Sequence, residues 1–155
     1  MMRRLRRFLA LSPTQRRLFV GAWLALPVID LMLRLLGLQR TERILGGSGA
    51  PTSMPRTSTP SPADIAAAEA DAVLIAIAGR YAIGNGSCLR QALLLWWLLR
   101  RRGCRPEIRI GVTVRDGFAA HAWVELDGRP LAQLPDQQGR FVPMEALARG
   151  LPRRA

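Results

Sequence analysis

The amino-acid sequence predicts an α+β domain built around one buried helix, and three observations predict it. Residues 88–102 read CLRQALLLWWLLRRR, with Leu and Trp around nearly the whole circumference, the pattern of a helix enclosed by other elements. The periodicity then changes from 3.6 to 2 in EIRIGVTVR (107–115) and FAAHAWVEL (118–126), and a third strand can follow over 129–134. Asp-Gly pairs at 116–117 and 127–128 mark the hairpin turns between them. A helix followed by an antiparallel meander is an α+β order. The 155 residues suit one domain, and a hydrophobic content of 49% is enough to build its core.

The N-terminus, Met1–Arg7, is basic, but the apolar stretch after it, Phe8–Leu11, is too short for the core of a signal peptide. Residues 13–46 read as one or two Leu-rich helices, with Ser12-Pro13 as the start and Gly46-Gly47 as the stop. Their apolar run, Leu18–Ile29, is interrupted by Pro27 and followed by Asp30 and Arg34, so it falls short of the roughly 20 residues that span a bilayer. Residues 1–45 therefore form a helical arm, expected to dock on a core or a partner rather than on a membrane surface. The stretch 46–62, GGSGAPTSMPRTSTPSP, is a linker by composition, and the domain proper runs over 63–155. A helix opens at Ser61-Pro62-Ala63-Asp64 and continues to about Tyr81, with Ile65, Val73 and Ile77 on its apolar stripe. Gly84-Asn85-Gly86 is a turn, Ser87 an N-cap, and Gly103 the stop of the central helix. After Pro135 a short helix is expected near Pro143–Ala148.

Scarcity narrows the chemistry. All 23 basic residues are Arg, so neither a Schiff base nor a phosphate-binding loop lysine is possible. One histidine, His121, and two cysteines, Cys88 and Cys104, cannot supply the four ligands of a structural zinc, and no cofactor pattern is present. Residues 1–62 carry ten Arg against two acids, a balance of +8. That asymmetry raises the alternative of an Arg-rich nucleic-acid or membrane-surface protein. Against nucleic acid, these Arg are interleaved with Leu rather than with stacking aromatics.

The remaining chemistry concentrates on Cys88 and His121. A cysteine that begins a helix sits at the positive end of the macrodipole, which raises its thiolate fraction. The unpaired N–H groups there can receive the oxyanion formed when a thiolate attacks a carbonyl. A two-residue turn at Asp116-Gly117 would set His121 opposite Val112, on the face of Ile108, Ile110, Val112 and Val114, toward the central helix. The competing reading makes Cys88 a small buried residue and His121 a core histidine. Cys104 lies about 20 Å along the helix from Cys88, too far for a disulfide.

The runs GNGSCLRQALLLWWLLRRRGCRPEIRIGV and FAAHAWVELDGRPL resemble the leader peptidases of lasso-peptide biosynthesis. The match spans about residues 62–145. The resemblance implies a papain-related, transglutaminase-like cysteine protease fold, with Cys88 as nucleophile and His121 as base. It implies an endopeptidase that removes the leader from a ribosomally made precursor peptide, after which a lasso cyclase closes the macrolactam. With no room for a leader-binding domain ahead of residue 62, the chain resembles the split, stand-alone form, which needs a separate leader-binding protein in trans. Two unpaired cysteines suit the cytoplasm. The family places an acid about a dozen residues after the histidine, where this chain has Gln133; Asp136 is the nearest downstream carboxylate. A two-residue turn at Asp127-Gly128 pairs His121 with Leu134 and puts Asp136 on the histidine face, whereas a one-residue bulge puts Gln133 there. Both stay open. The same Cys-His apparatus also serves acyl transfer, so a transglutaminase-like acyl transferase is the alternative activity.

Overall fold

The computed structural model describes residues 10–47, 60–82, 87–114, 117–132 and 140–144. Helix α1 (Pro13–Gly47) starts at a reciprocal cap. The Ser12 hydroxyl accepts the Gln15 N–H, and the Gln15 carboxamide accepts the Ser12 N–H. Pro27, which interrupts the apolar run Leu18–Ile29, lies inside the helix. The break comes instead at Gly37, with φ 74° and ψ 172°, which divides α1 into two segments. Leu26 and Ile29, buried on either side of Pro27, hold that turn against the other helices. At the break, the buried Thr41 hydroxyl donates to the Gly37 carbonyl at 2.8 Å. With its full length, α1 is also long and apolar enough to cross a membrane by length and composition.

Helix α2 (Pro62–Tyr81) opens on a complete capping box. Ser61 accepts the Asp64 N–H, and the Asp64 carboxylate accepts the Ser61 N–H. Its buried face is made of Ala68, Ala72, Ile75, Ala78 and Gly79, whereas Val73 and Ile77 are exposed. The sequence-based stripe is thus corrected. Small residues line the inner face because α3 approaches closely: a Cβ on Gly79 would stand 2.5 Å from Nε2 of Gln91.

Helix α3 (Cys88–Arg101) is central, packed on α1, α2 and the sheet. Leu93, Leu94, Leu95 and Leu99 are buried. Its terminal Arg100 and Arg101 lie over Trp96 and Trp97, each 4.9 Å from the ring centroid, which adds cation–π attraction to the favourable helix-end charge.

The sheet has the order β3-β2-β1-β4, all antiparallel, from β1 (Pro106–Thr113), β2 (Ala119–Leu126), β3 (Arg129–Pro130) and β4 (Val142–Pro143). Asp127 and Gly128 form the expected two-residue turn with φ of 54° and 73°, and Leu126 pairs with Arg129. The third strand is shorter than expected, because Ala132 turns to φ 50°. Val142–Pro143 forms β4 on the free side of β1, and residues 145–148 of the short helix expected near Pro143–Ala148 lie outside the described residues. One buried cluster joins Ala22, Leu26 and Ile29 of α1 with the inner faces of α2, α3 and β2. The first helix is therefore part of the same core as the domain that follows it.

Candidate active site

The β1–β2 register differs from the expected one by one residue. Thr113 pairs with Ala119, so the connection is longer than a two-residue turn, and His121 stands opposite Gly111 rather than Val112. A one-residue slip exchanges the faces of a strand. Ile108 and Ile110 thus pair with Val124 and Ala122 toward the core, while His121 shares its face with Arg109, Gly111, Trp123 and Glu125.

His121 nevertheless meets Cys88, and the reason is topological. β3 pairs with Glu125 and Leu126, with one further bond from the Leu131 N–H to the Val124 carbonyl. Among the described residues no strand pairs with the earlier part of β2 on that side, and the start of α3 lies against it. The backbone of Ala122 hydrogen-bonds the Cys88 sulfur, and the His121 side chain hydrogen-bonds it from beside the same edge. A group at the edge of a strand is within reach of side chains from both faces. A cavity of about 70 Å³ opens here, lined by Cys88, Gln91, Leu95, His121, Ala122 and Trp123, among others.

The hydrogen bond from His121 is the main cause holding the Cys88 thiol below its ordinary value. Partial burial pushes the other way, and backbone hydrogen bonds from Ala122 and Leu89 and the charge of His121 add to the lowering. The Leu89 contribution is the helix-end effect expected of a cysteine at this position. Neither Cys88 nor Cys104 forms a disulfide.

Two aromatic rings flank the imidazole, and sequence reasoning missed one of them, Phe141. Trp123 stacks beside it at 6.0 Å between centroids and 17° between planes, and Phe141 sits 5.1 Å away. Trp123 is itself tied down. Its indole N–H donates to Glu125 at 3.0 Å, and Glu125 accepts from Arg109 at the same distance. Gly111 makes room for both rings, since a Cβ there would stand 2.9 Å from the Trp123 ring and 3.0 Å from Phe141. Period-2 alternation placed Trp123 and Glu125 beside His121, but only strand pairing brings Phe141 there.

Gln133 and Asp136, the alternatives for orienting His121, lie outside the described residues, as do Gly84–Gly86 of the turn before Cys88. Among the described residues, no group of three or more His, Cys, Asp or Glu side chains could hold a metal ion.

A thiol at the first turn of a buried helix, hydrogen-bonded to an imidazole on an adjoining strand, is the arrangement that nucleophilic attack on a carbonyl requires. The model of the transglutaminase-like superfamily matches residues 32–146, which include α2, α3, the sheet and both of these side chains. The chain belongs to the transglutaminase-like superfamily. The matched segment begins inside α1, consistent with the packing of that helix into the common core. No curated protein and no solved structure matches the chain. The α+β, papain-like architecture expected from the sequence is the observed one.

Proposed function

We propose that the protein is a cytoplasmic cysteine endopeptidase that cuts the leader from a lasso-peptide precursor before a cyclase closes the ring. The observation that carries this reading is the hydrogen-bonded pair of Cys88 and His121 at the mouth of a cavity. The resemblance of the Cys88 helix and the His121 strand to lasso leader peptidases supports the choice of substrate.

In this mechanism the Cys88 thiolate attacks the scissile carbonyl carbon, forming a C–S bond and an oxyanion. The N-terminal N–H groups of α3 supply donors for that oxyanion. Protonated His121 then gives its proton to the leaving amine, which departs as the N-terminus of the core peptide. His121, now neutral, takes a proton from water, and the hydroxide adds to the thioester. The leader leaves as a carboxylic acid and the thiolate–imidazolium pair is restored. Trp123 and Phe141 keep the imidazole oriented through both transfers.

The leader-binding protein is proposed to dock on the exposed row Val20, Leu24, Val28, Leu31 and Leu35 of α1, which recurs at helical spacing. Arg17 and Arg34 flank this row and favour an acidic rim on the partner. Leu31→Gln with Leu35→Gln tests this better than deleting residues 1–45, which would also remove Ala22, Leu26 and Ile29 from the core. The paired variant should fold normally and lose only the stimulation by the partner; unchanged stimulation refutes the docking.

The central test is cleavage of precursor by purified protein with the leader-binding partner present. Cys88→Ala should abolish it, and full activity in that variant refutes the proposal. The superfamily match also favours a second reading, acyl transfer, in which an amine replaces water. Incorporation of an added amine into the leader's new C-terminus distinguishes the two.

A further inference from the structure

Arg90 takes no part in the chemistry above, yet it lies two residues beyond Cys88 and is only 2% exposed. A buried cation in the first turn of a helix is unfavourable twice over, through desolvation and through the macrodipole. Its partners show what it does there. One guanidinium nitrogen lies 3.2 Å from the Asp30 carboxylate of α1, and Nε donates to the Ser87 hydroxyl at 3.2 Å. Arg34 also holds Asp30, at 2.9 Å, from one turn further along α1.

Ser87 is the N-cap of α3, and an N-cap serine ordinarily turns its hydroxyl onto an N–H two or three residues ahead. The chain provides its own comparison. Ser12 and Ser61, at the starts of α1 and α2, both do this, each at 3.2 Å. Ser87 does not: its side chain makes no capping bond, and its carbonyl accepts the N–H groups of Arg90 and Gln91. The N–H of Leu89, two residues from the cap, goes to the Cys88 sulfur.

We propose that Arg90 is a positioning residue that holds the Ser87 hydroxyl away from the end of α3, leaving the Leu89 N–H to the Cys88 sulfur. Its ion pair with Asp30 makes that arrangement depend on α1. The inference rests on Cys88 being the nucleophile, but its test needs neither a peptide substrate nor a partner, so it is independent of the leader-peptidase reading.

The test is the pH profile of Cys88 alkylation by iodoacetamide, in a Cys104→Ser background. Arg90→Met frees the Ser87 hydroxyl to cap α3 and should slow alkylation at pH 7 about fivefold, with the profile moved to higher pH. Adding Ser87→Ala removes the competing hydroxyl and should restore the rate to within about twofold. Arg90→Lys keeps a charge opposite Asp30 but cannot bond Asp30 and Ser87 from separate nitrogens, so it should slow alkylation in the same way while preserving the fold. Ser87→Ala alone should leave the profile unchanged. A folded Arg90→Lys variant with the parent profile overturns the proposal. So does slowing that Ser87→Ala fails to relieve, or slowing in Ser87→Ala itself. A merely structural role for Arg90 would lower the melting temperature without rescue by Ser87→Ala.

Discussion

Gly111→Ala adds one methyl group at the middle of β1, directly across from His121. The added Cβ would stand 2.9 Å from Cζ3 and 3.0 Å from Cη2 of Trp123, and 3.0 Å from Cβ of Phe141. Ordinary carbon contacts begin near 3.5 Å, so the rings must give by about half an ångström. Neither side yields freely. The indole is buried and hydrogen-bonded to Glu125, and the Phe141 Cβ is fixed close to the backbone of β4, whose Pro143 pairs with Gly111. Overpacking of this kind costs about 1–3 kcal/mol, which for a chain of this size lowers Tm by roughly 3–10 °C. The functional loss should be larger than the stability loss suggests, because the ring displaced is the one stacked beside His121. A displacement of this order at a catalytic group costs about tenfold or more in kcat/KM. Thermal melting by circular dichroism reads the first quantity and precursor cleavage the second. Gly21→Ala is the control: its Cβ meets nothing within 4 Å in the middle of α1, so it should melt at or above the parent temperature. A Gly111→Ala protein with unchanged melting and unchanged turnover refutes the close packing around His121.

His121→Ala removes the main cause of the lowered Cys88 thiol, so the onset of iodoacetamide alkylation should move to higher pH, and an unmoved onset contradicts the pairing. The sign for stability follows from the same shift. A native thiol held below its unfolded value adds stability that grows as pH rises through the native value and is complete above the unfolded one, so urea midpoints of parent and His121→Ala should diverge with rising pH. Leu26→Ala, at a fully buried site on α1, should cost about 2–5 kcal/mol, whereas Leu35→Ala, 72% exposed on the same helix, should stay within about 0.5 kcal/mol. Equal melting of the two variants would mean that α1 is not part of the core. Ser61→Ala breaks the capping box of α2 and should cost about 1 kcal/mol in chemical denaturation.

Local chemistry made much of this fold legible in the sequence. Ser12-Pro13 and Ser61-Pro62 announce their helices because caps and proline act within four residues. Asp127-Gly128 announces its turn because both residues tolerate positive φ. Cys88 was recognisable at a helix start for the same local reason, and the scarcity of histidine singled out His121. Other features were set by the rest of the molecule. Pro27 stays within its helix because Leu26 and Ile29 are buried beside it. Val73 and Ile77 face outward because small residues let α3 approach the other side of α2.

The β1–β2 register divides the two kinds of information most sharply. A slip of one residue, pairing Thr113 with Ala119 rather than with Ala120, moves His121 to the face of Trp123 and Glu125, and no pattern of alternation reveals that slip. The amino-acid sequence by itself determined the helices, the hairpin order and the two groups able to do chemistry. Only the tertiary structure decided that they meet beside Ala122 of β2, that Phe141 arrives through β4, and that Asp30 reaches Arg90 across 60 residues of chain. The physical reason is range: caps and turns are settled by neighbouring backbone groups, whereas register, close approach and ion pairing between helices depend on how separate elements fill a common core.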